Sequence, residues 1–333
     1  MKSAELHKLF NSFNNLNVII IGDVMLDSYY WGDVSRISPE APVPIVAVSK
    51  KESRLGGAGN VAINIMAMGA NPLLCGVIGN DDNGERLIKI LKEHKVSDHG
   101  IVKISNRPTT NKTRIISHTH HLIRIDEEID KPIAPADTEK LFKEIEKFVK
   151  AKKIAAIIFE DYDKGVITPA LINKVTTLAR KHRIPTVVDP KRRNFKDYKN
   201  VTLFKPNLKE LREGLNINVD ATDLGQLNKT VDAFRKTQNI DMGLITLSEH
   251  GVYINSAKEK KIIPAHIRNI SDVSGAGDSV VSVAALCTAL NISPYYTAYL
   301  ANLAGGQVCE KAGVVAVNKN QLLKEAEQYL NHK

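Results

Sequence analysis

The chain has 333 residues, and its composition is that of an ordinary globular protein. Hydrophobic residues make up 43% and charged residues 25%, which excludes wholesale disorder and collagen-like or coiled-coil repeats. The formal net charge is +9, and a basic excess is typical of proteins that bind anions. Because the basic clusters are short and lack interleaved aromatic residues, we predict small phosphorylated partners and no nucleic acid.

The cysteine spacing and the N-terminal sequence argue against several kinds of site and targeting signal. The three cysteines lie far apart in apolar stretches, so the sequence favours neither disulfides nor a zinc site. Residues 1–16 are polar and lack the apolar run of a signal peptide. No apolar run approaches the roughly 18 residues of a membrane span. We therefore predict a cytoplasmic protein with no membrane partner.

The N-terminal half alternates between core elements and two excursions. A β-branched run over 17–23 predicts a buried strand that ends at a polar turn. Two later segments, about 28–49 and 107–126, carry β-type residues, and the prolines of the first suit edge strands. We predict that these two segments form a small sheet, a lid, outside the main core. The other predicted elements here are a helix over 57–68, a strand over 73–78 and a helix over about 83–94.

From residue 135 onward the chain repeats β-strand and α-helix more regularly. Such repetition implies a mostly parallel sheet covered by helices on both faces. Since no clear linker interrupts it, we predict a single α/β domain over 1–333. The predicted strands cover 154–159, 185–189, 201–205, 243–247 and 252–255, and the predicted helices cover 135–152, 169–182, about 227–236 and segments that begin near 208, 277, 294 and 319.

A glycine-rich motif, Asp272-Val-Ser-Gly-Ala-Gly-Asp278, precedes a long apolar helix. Small residues at Gly275, Ala276 and Gly277 allow backbone N–H groups to approach an anion, and the helix N-terminus adds partial positive charge. A carboxylate at Asp278 could then accept a proton from a hydroxyl that attacks a phosphate. The alternative is a structural glycine turn in which the aspartate caps the helix.

A second glycine cluster occupies 56–60 and is followed by helical spacing. Gly57-Ala-Gly59-Asn-Val-Ala62 matches the dinucleotide-binding pattern, so a nicotinamide-dependent oxidoreductase is a rival hypothesis. That pattern should directly follow a strand, whereas the nearest predicted strand ends near Val48. The chain also lacks the G-x-x-x-x-G-K-[ST] sequence of P-loop phosphotransferases, so a phosphate must be held in another way.

Together these motifs resemble the two signatures of the ribokinase-like (PfkB) carbohydrate kinases, although Val273 stands where threonine is usual. Asn207-Leu-Lys-Glu210 resembles the N-x-x-E element of the family, and Thr246-Leu-Ser-Glu-His-Gly251 resembles its nucleotide-side turn. The resemblance implies a three-layer α/β/α sandwich with a mostly parallel central sheet and a small β-sheet lid. It also implies an ATP-dependent kinase that uses Mg²⁺.

Further segments resemble the branch of this family that phosphorylates the C1 hydroxyl of D-glycero-D-manno-heptose 7-phosphate, a step toward ADP-heptose and the lipopolysaccharide core. They are 22–27, 31–44, 122–126, 161–165 and 189–191. In that branch the kinase is often fused to an adenylyltransferase. Because this sequence stops at Lys333, the resemblance implies a kinase whose adenylyltransferase partner is a separate chain.

The resemblance also implies roles for individual residues. Asp278 would be the base and Gly275, Ala276 and Gly277 the anion hole, while Asn207 and Glu210 would face magnesium through water. The implied nucleotide-binding residues are Lys191, Asn207, Leu208, Lys209, Glu210, Ser248 and Gly251. The implied substrate-binding residues are Asp27, Gly57, Asn60, Asp161 and Lys164.

Two further expectations concern the lid. The cations that could hold the distal phosphate are Lys112, Arg114, Arg124 and Lys164, and the sequence does not choose among them. The proline-rich and apolar lid edges predict a homodimer in which the lids pair. Another PfkB sugar kinase and a non-catalytic nucleotide-binding protein remain alternatives alongside the nicotinamide enzyme.

Overall fold

We describe a computed structural model of the chain, which covers residues 1–118, 120–266 and 268–331. The strands of the nine-stranded central sheet are β1 (Asn17–Gly22), β4 (Asn71–Gly79), β5 (Gly100–Ile104), β8 (Ile154–Glu160), β9 (Thr186–Asp189), β10 (Leu203–Phe204), β11 (Met242–Thr246), β12 (Val252–Ser256) and β13 (Lys260–Ile263). Their order in the sheet is β13-β12-β11-β10-β9-β8-β1-β4-β5. All neighbouring pairs from β11 to β5 are parallel, and β12 and β13 extend the sheet antiparallel at one edge.

Strand β1 shows why the chain folds into three layers. Val18 and Ile20 face one hydrophobic cluster, Ile19 and Ile21 face a second, and all four side chains are fully buried. A continuous apolar run is what a parallel strand covered on both faces requires. The flanking helices are α1 (Ser3–Ser12), α2 (Ala58–Ala67), α3 (Asp82–Glu93), α4 (Pro135–Ala151), α5 (Pro169–Lys181), α6 (Leu208–Leu215), α7 (Leu224–Gln238), α8 (Ala276–Ala289), α9 (Pro294–Cys309) and α10 (Lys319–Asn331).

The lid is a separate four-stranded sheet in the order β3-β2-β6-β7. It consists of β2 (Val24–Ile37), β3 (Pro44–Gly57), β6 (Asn111–Ser117) and β7 (His120–Glu127). The predicted lid segments therefore form one sheet, although its strands run beyond the predicted bounds. Within the described residues no helix is long and apolar enough to cross a membrane.

Four elements differ from the sequence expectations. Helix α1, strand β5 and strand β13 were not predicted, because each is short or polar and acquires its apolar environment only from distant elements. Strand β3 runs to Gly57, so the expectation that no strand directly precedes the second glycine cluster is wrong. However, β3 pairs antiparallel with β2 in the lid, whereas a dinucleotide turn follows a strand of a parallel sheet.

Candidate active site

Charged residues gather where the parallel strands end. Glu160 is the last residue of β8, Asp189 is the last residue of β9, and Lys205 directly follows β10. These strands are neighbours in the sheet, so their carboxyl ends form one edge, the usual place for a ligand site in an open α/β sheet. The N-terminus of α8 meets this edge, because the carboxyl oxygens of Asp278, Glu160 and Asp189 lie within 4.8 Å of one another.

The glycine turn before α8 has the geometry of an anion site. Gly275 is the N-cap with φ +79°, a left-handed conformation that side chains disfavour. An added Cβ there would lie 2.9 Å from the Asn60 amide nitrogen. Residues 276–278 form the first turn of the helix, whose N–H groups have no earlier helical carbonyl as partner. The Ala276 amide makes a 3.3 Å turn bond to Val273 O.

Asp278 is buried at the floor of this site and held by two donors. The Asn60 amide donates to Oδ2 at 2.6 Å, and the Tyr162 hydroxyl donates to Oδ1 at 2.9 Å. Burial raises the pKa of Asp278 to about 6, while the two hydrogen bonds oppose this rise. A carboxyl group with a pKa near 6 is ionised at neutral pH and basic enough to take up a proton.

Next to Asp278 lies a network of buried charges. Lys205 forms a 2.9 Å ion pair with Asp189, and both side chains are at most 5% exposed. Both carboxyl oxygens of Glu160 are buried without a hydrogen-bond partner among the described residues. Burial, together with the Asp189 and Asp278 charges, raises the pKa of Glu160 well above its usual value. Three carboxyl groups this close could hold a metal ion, but here the Lys205 ammonium supplies the positive charge.

A cavity of about 810 Å³ opens above this network. It brings together Tyr162, the buried charges and most of the predicted nucleotide-binding residues, and its volume lies in the range of ligand sites. The sequence-predicted residues in its wall are Lys191, Asn207, Glu210, Ser248, Gly251, Gly275, Ala276, Gly277 and Asp278.

The N-x-x-E element forms a capping box at the start of α6. The Asn207 side chain accepts from the Glu210 backbone N–H, and the Glu210 side chain accepts from the Asn207 backbone N–H, both at 2.8 Å. Glu210 also pairs with Lys191. Burial lowers the pKa of Lys191, but the Asp189 and Glu210 carboxylates outweigh burial and leave that pKa raised. Lys191 therefore stays charged at the cavity wall.

Two predicted nucleotide-binding residues lie outside the large cavity. Leu208 lines a neighbouring cavity that it shares with Ser248. Lys209 has a side chain that is 81% exposed, 3.8 Å from Glu213 on the same helix. Both positions follow from the helical geometry of α6, which turns 208 and 209 away from the face that carries Asn207 and Glu210.

The predicted substrate residues on the lid side are paired. Asp27 in β2 is buried and accepts from Arg114 in β6. Gly57 has φ +55° at the start of α2, and an added Cβ would lie 2.4 Å from Asp23 O. Asn60, in the first turn of α2, directs its amide at Asp278.

Asp161 and Lys164 follow β8. The Asp161 carboxylate is 1% exposed and accepts from Asn194 at 2.9 Å and from Tyr198 at 2.8 Å. Burial and the nearby Asp23 charge raise the pKa of Asp161 to about 7. These contacts make Asp161 part of the loop framework, whereas Lys164 bonds to Glu128 at 2.7 Å near the lid.

Among the proposed distal-phosphate cations, two converge on one acid. Lys112 lies 2.6 Å and Lys164 lies 2.7 Å from Glu128, and their side chains are 13% and 18% exposed. Arg114 is committed to Asp27, and Arg124 is 56% exposed and pairs with Asp126. Lys112 and Lys164 are therefore the two shielded cations of this set that share one acid.

The site also contains residues that sequence reasoning missed. Asp23, Glu160, Tyr162 and Lys205 were not assigned roles, yet all four lie at or just beyond the carboxyl end of a parallel strand. A charged residue directly after an apolar run was the available signal, as in Phe159-Glu160 and Phe204-Lys205. The partner of each such residue is set by strand order, which the sequence pattern did not give.

Residues 15–321 match the sequence profile described as the pfkB family carbohydrate kinase. The chain belongs to this family. It is an ATP-dependent carbohydrate kinase with a ribokinase-like fold, as the motifs predicted, and the match decides against the nicotinamide alternative.

Similar proteins come from several bacteria. The bifunctional protein HldE of Sulfurimonas denitrificans is 38% identical over 97% of this chain and 65% of its own length. HldE of Caulobacter sp. strain K31 is also 38% identical, over 96% of this chain and 64% of its own length. The chain thus spans just under two thirds of these relatives.

Solved structures share the fold at low sequence identity. Phosphofructokinase-2 from Escherichia coli, in complex with potassium, superposes with a TM-score of 0.77 at 18% identity, covering 96% of this chain and 99% of that one. Ribokinase from Arabidopsis thaliana, complexed with ribose and ATP, gives a TM-score of 0.70 at 15% identity, covering 93% of this chain and 99% of that one.

Proposed function

We propose that this kinase transfers the γ-phosphate of ATP to the C1 hydroxyl of D-glycero-D-manno-heptose 7-phosphate and produces heptose 1,7-bisphosphate. The observation that carries the kinase chemistry is the buried Asp278 carboxylate at the amide-rich start of α8, in the wall of the large cavity. The acceptor is supported by the heptose-kinase-like segments of the sequence and by the 38% identity to HldE over 97% of the chain.

In the proposed mechanism, Asp278 accepts the proton of the C1 hydroxyl while the hydroxyl oxygen attacks the γ-phosphorus. The bond from that phosphorus to the β-phosphate oxygen breaks, and ADP leaves. The N–H groups of Gly277 and Asp278 stabilise negative charge on the transferred group. Lys191 contributes a fixed positive charge at the same wall.

Magnesium is the metal that we propose for this site. The residues fit, since Asn207 and Glu210 offer oxygen ligands, the donor type that Mg²⁺ prefers, at the cavity wall that also carries Lys191. We propose that they hold the ion through water. When bound, the ion neutralises phosphate charge and aids the departure of ADP.

The pH dependence follows from the base. Because the pKa of Asp278 is raised to about 6, the active, ionised form is lost as pH falls through 6. We expect kcat/KM to fall about tenfold for each pH unit below that value. Activity above pH 7 should be insensitive to this group.

A homodimer through the lid is a further proposal. The lid carries several large apolar side chains that are more than one third exposed, an arrangement typical of interaction surfaces. They are Val34, Ile37, Val43, Val48, Leu122, Ile123 and Ile125. We propose that a second copy of the chain covers this face. We also propose that an adenylyltransferase acts later on the released product, once its 7-phosphate has been removed, because ADP-heptose carries no phosphate at that position.

The test is ATP turnover against a sugar panel that contains heptose 7-phosphate, ribose, fructose and fructose 6-phosphate. We expect kcat/KM for heptose 7-phosphate to exceed the others by at least 100-fold. Equal or greater turnover of another sugar would assign a different acceptor within the family. Nucleotide binding without turnover of any sugar would favour the non-catalytic alternative.

A further inference from the structure

Tyr162 links the base to the loop that follows β8. Its hydroxyl donates to Asp278 Oδ1 at 2.9 Å across 116 positions of the chain. The other oxygen of the same carboxylate accepts from Asn60 at 2.6 Å. Each carboxyl oxygen therefore has one donor, and the two donors come from different elements. A carboxylate gripped in this way cannot rotate freely about its χ2 angle.

The position of Tyr162 is itself set by a buried acid. Asp23, directly after β1, accepts from the backbone N–H groups of Tyr162 at 2.8 Å, Lys164 at 3.1 Å and Val166 at 3.2 Å. These bonds hold the loop against the sheet edge. The Lys191 ammonium lies over the Tyr162 ring, 5.2 Å from the ring centre. Tyr162 therefore contacts both the proposed base, Asp278, and Lys191 in the cavity wall.

We propose that Tyr162 is a positioning residue that holds Asp278 in the orientation, and in the ionised state, in which it accepts the proton of the acceptor hydroxyl. This inference rests on the assignment of Asp278 as the base. The physical reason is that a hydroxyl donor stabilises a carboxylate more than a carboxylic acid, which cannot accept as strongly. Burial raises the pKa of Asp278 and so opposes its ionisation, whereas the Tyr162 hydrogen bond lowers that pKa and favours ionisation.

Other charged groups face Asp278 and also affect its pKa. Asp189 raises and Lys205 lowers the pKa of Asp278, and Glu160 interacts with the same carboxylate. These groups lie on β8, β9 and the end of β10 and are unchanged when the Tyr162 hydroxyl is removed. The substrate phosphate also titrates, but identically for every variant. A change in the pH profile on removal of that hydroxyl therefore reports the Tyr162 bond.

The experiment compares Tyr162→Phe with Tyr198→Phe in the full-length chain. Tyr198 is a matched control, because it is also buried and its hydroxyl donates to the Asp161 carboxylate at 2.8 Å. The measurement is kcat/KM for heptose 7-phosphate from pH 5 to pH 9 at saturating ATP. In the wild type, kcat/KM falls on the acidic side of the pH profile, its acidic limb, and is constant on a plateau at higher pH. We expect Tyr162→Phe to move the acidic limb upward by about one pH unit, so that kcat/KM at pH 6 is about tenfold below its plateau value. Tyr198→Phe should leave the limb in place.

If the acidic limb does not move in Tyr162→Phe, the inference is wrong. An equal shift in Tyr198→Phe also overturns it, because the shift would then result from altered packing of the loop. Partial unfolding lowers the plateau but does not displace the limb. If Tyr162→Phe does not fold, 3-fluorotyrosine at position 162 keeps the hydroxyl and makes it a stronger donor. The limb should then move downward, and an upward shift or no shift counts against the proposal.

The inference and the proposed function fail in different ways. Full turnover by Asp278→Asn would remove the base assignment whatever Tyr162 does. Loss of turnover in Asp278→Asn, combined with an unmoved limb in Tyr162→Phe, would leave the kinase mechanism intact and remove only the role of Tyr162.

Discussion

Two groups of charged residues, the sheet wall and the lid wall, hold their charges differently. On the sheet side, Asp189 and Lys205 form an ion pair with both side chains at most 5% exposed. On the lid side, Lys112 and Lys164 bond to Glu128, whose side chain is 24% exposed. Breaking a buried pair leaves an uncompensated charge in a poorly solvated place, whereas water replaces a lost partner near the surface.

We expect this difference to separate the chemical step from the choice of acceptor. The sheet wall carries Asp278 in the first turn of α8 and Lys191 just beyond β9. The lid wall lies beside a separate four-stranded sheet, and the side chains of Lys112 and Glu128 there are 13% and 24% exposed. We expect substitutions on the sheet wall to affect kcat and stability, and substitutions on the lid wall to affect the KM of the acceptor.

The largest expected effect comes from replacing Asp278, the proposed general base on the sheet wall. Asp278→Asn should lower kcat by about 10²- to 10⁴-fold, the usual contribution of a general base, because the amide cannot accept the proton. Binding of a non-hydrolysable ATP analogue, measured by calorimetry, should change by less than about threefold. Turnover near that of the wild type would show that another group removes the proton.

The next effect tests the buried pair. Lys205→Met should lower the free energy of unfolding by about 3–5 kcal/mol, because Asp189 is left buried without its partner. Urea unfolding measures this change. The control is Lys209→Met. Because the Lys209 side chain is 81% exposed, this substitution should change the free energy of unfolding by less than about 0.5 kcal/mol. Equal losses in both variants would contradict the contrast between buried and exposed charge.

A smaller effect tests the lid wall. Lys164→Met should raise KM for heptose 7-phosphate by about tenfold or more, the value of one charged hydrogen bond, with kcat within about threefold. The unphosphorylated heptose should show no such change, because it lacks the distal phosphate. Arg124→Met is the control, since its side chain is 56% exposed. A fall in kcat without a change in KM would move Lys164 from acceptor binding to catalysis.

The mildest change concerns assembly. Ile123→Lys places a charge on the apolar lid face, where Ile123 is 57% exposed, and should halve the solution mass measured by sedimentation. Leu224→Lys on the body, at 40% exposure, should leave that mass unchanged. A wild-type monomer at working concentration would refute the lid dimer.

Most of the core elements could be predicted from the sequence, since long apolar runs such as Val18–Ile21 and caps such as Thr168 before Pro169 act locally. The glycine turn before α8 was also visible as a motif. The site was only partly predictable. Leu208 and Lys209 were included because they stand inside a motif, but a helix places consecutive residues on different faces.

By itself, the sequence determined most of the strands and helices and which residue types could serve phosphoryl transfer, because periodicity and glycine placement are local properties. Tertiary structure alone decided that Asn60 and Tyr162, 218 and 116 positions from Asp278, grip the same carboxylate. It also decided that burial and the nearby Asp189 and Asp278 charges raise the pKa of Glu160. Contacts of this kind depend on strand order and on burial, and both arise only when distant segments pack into one sheet.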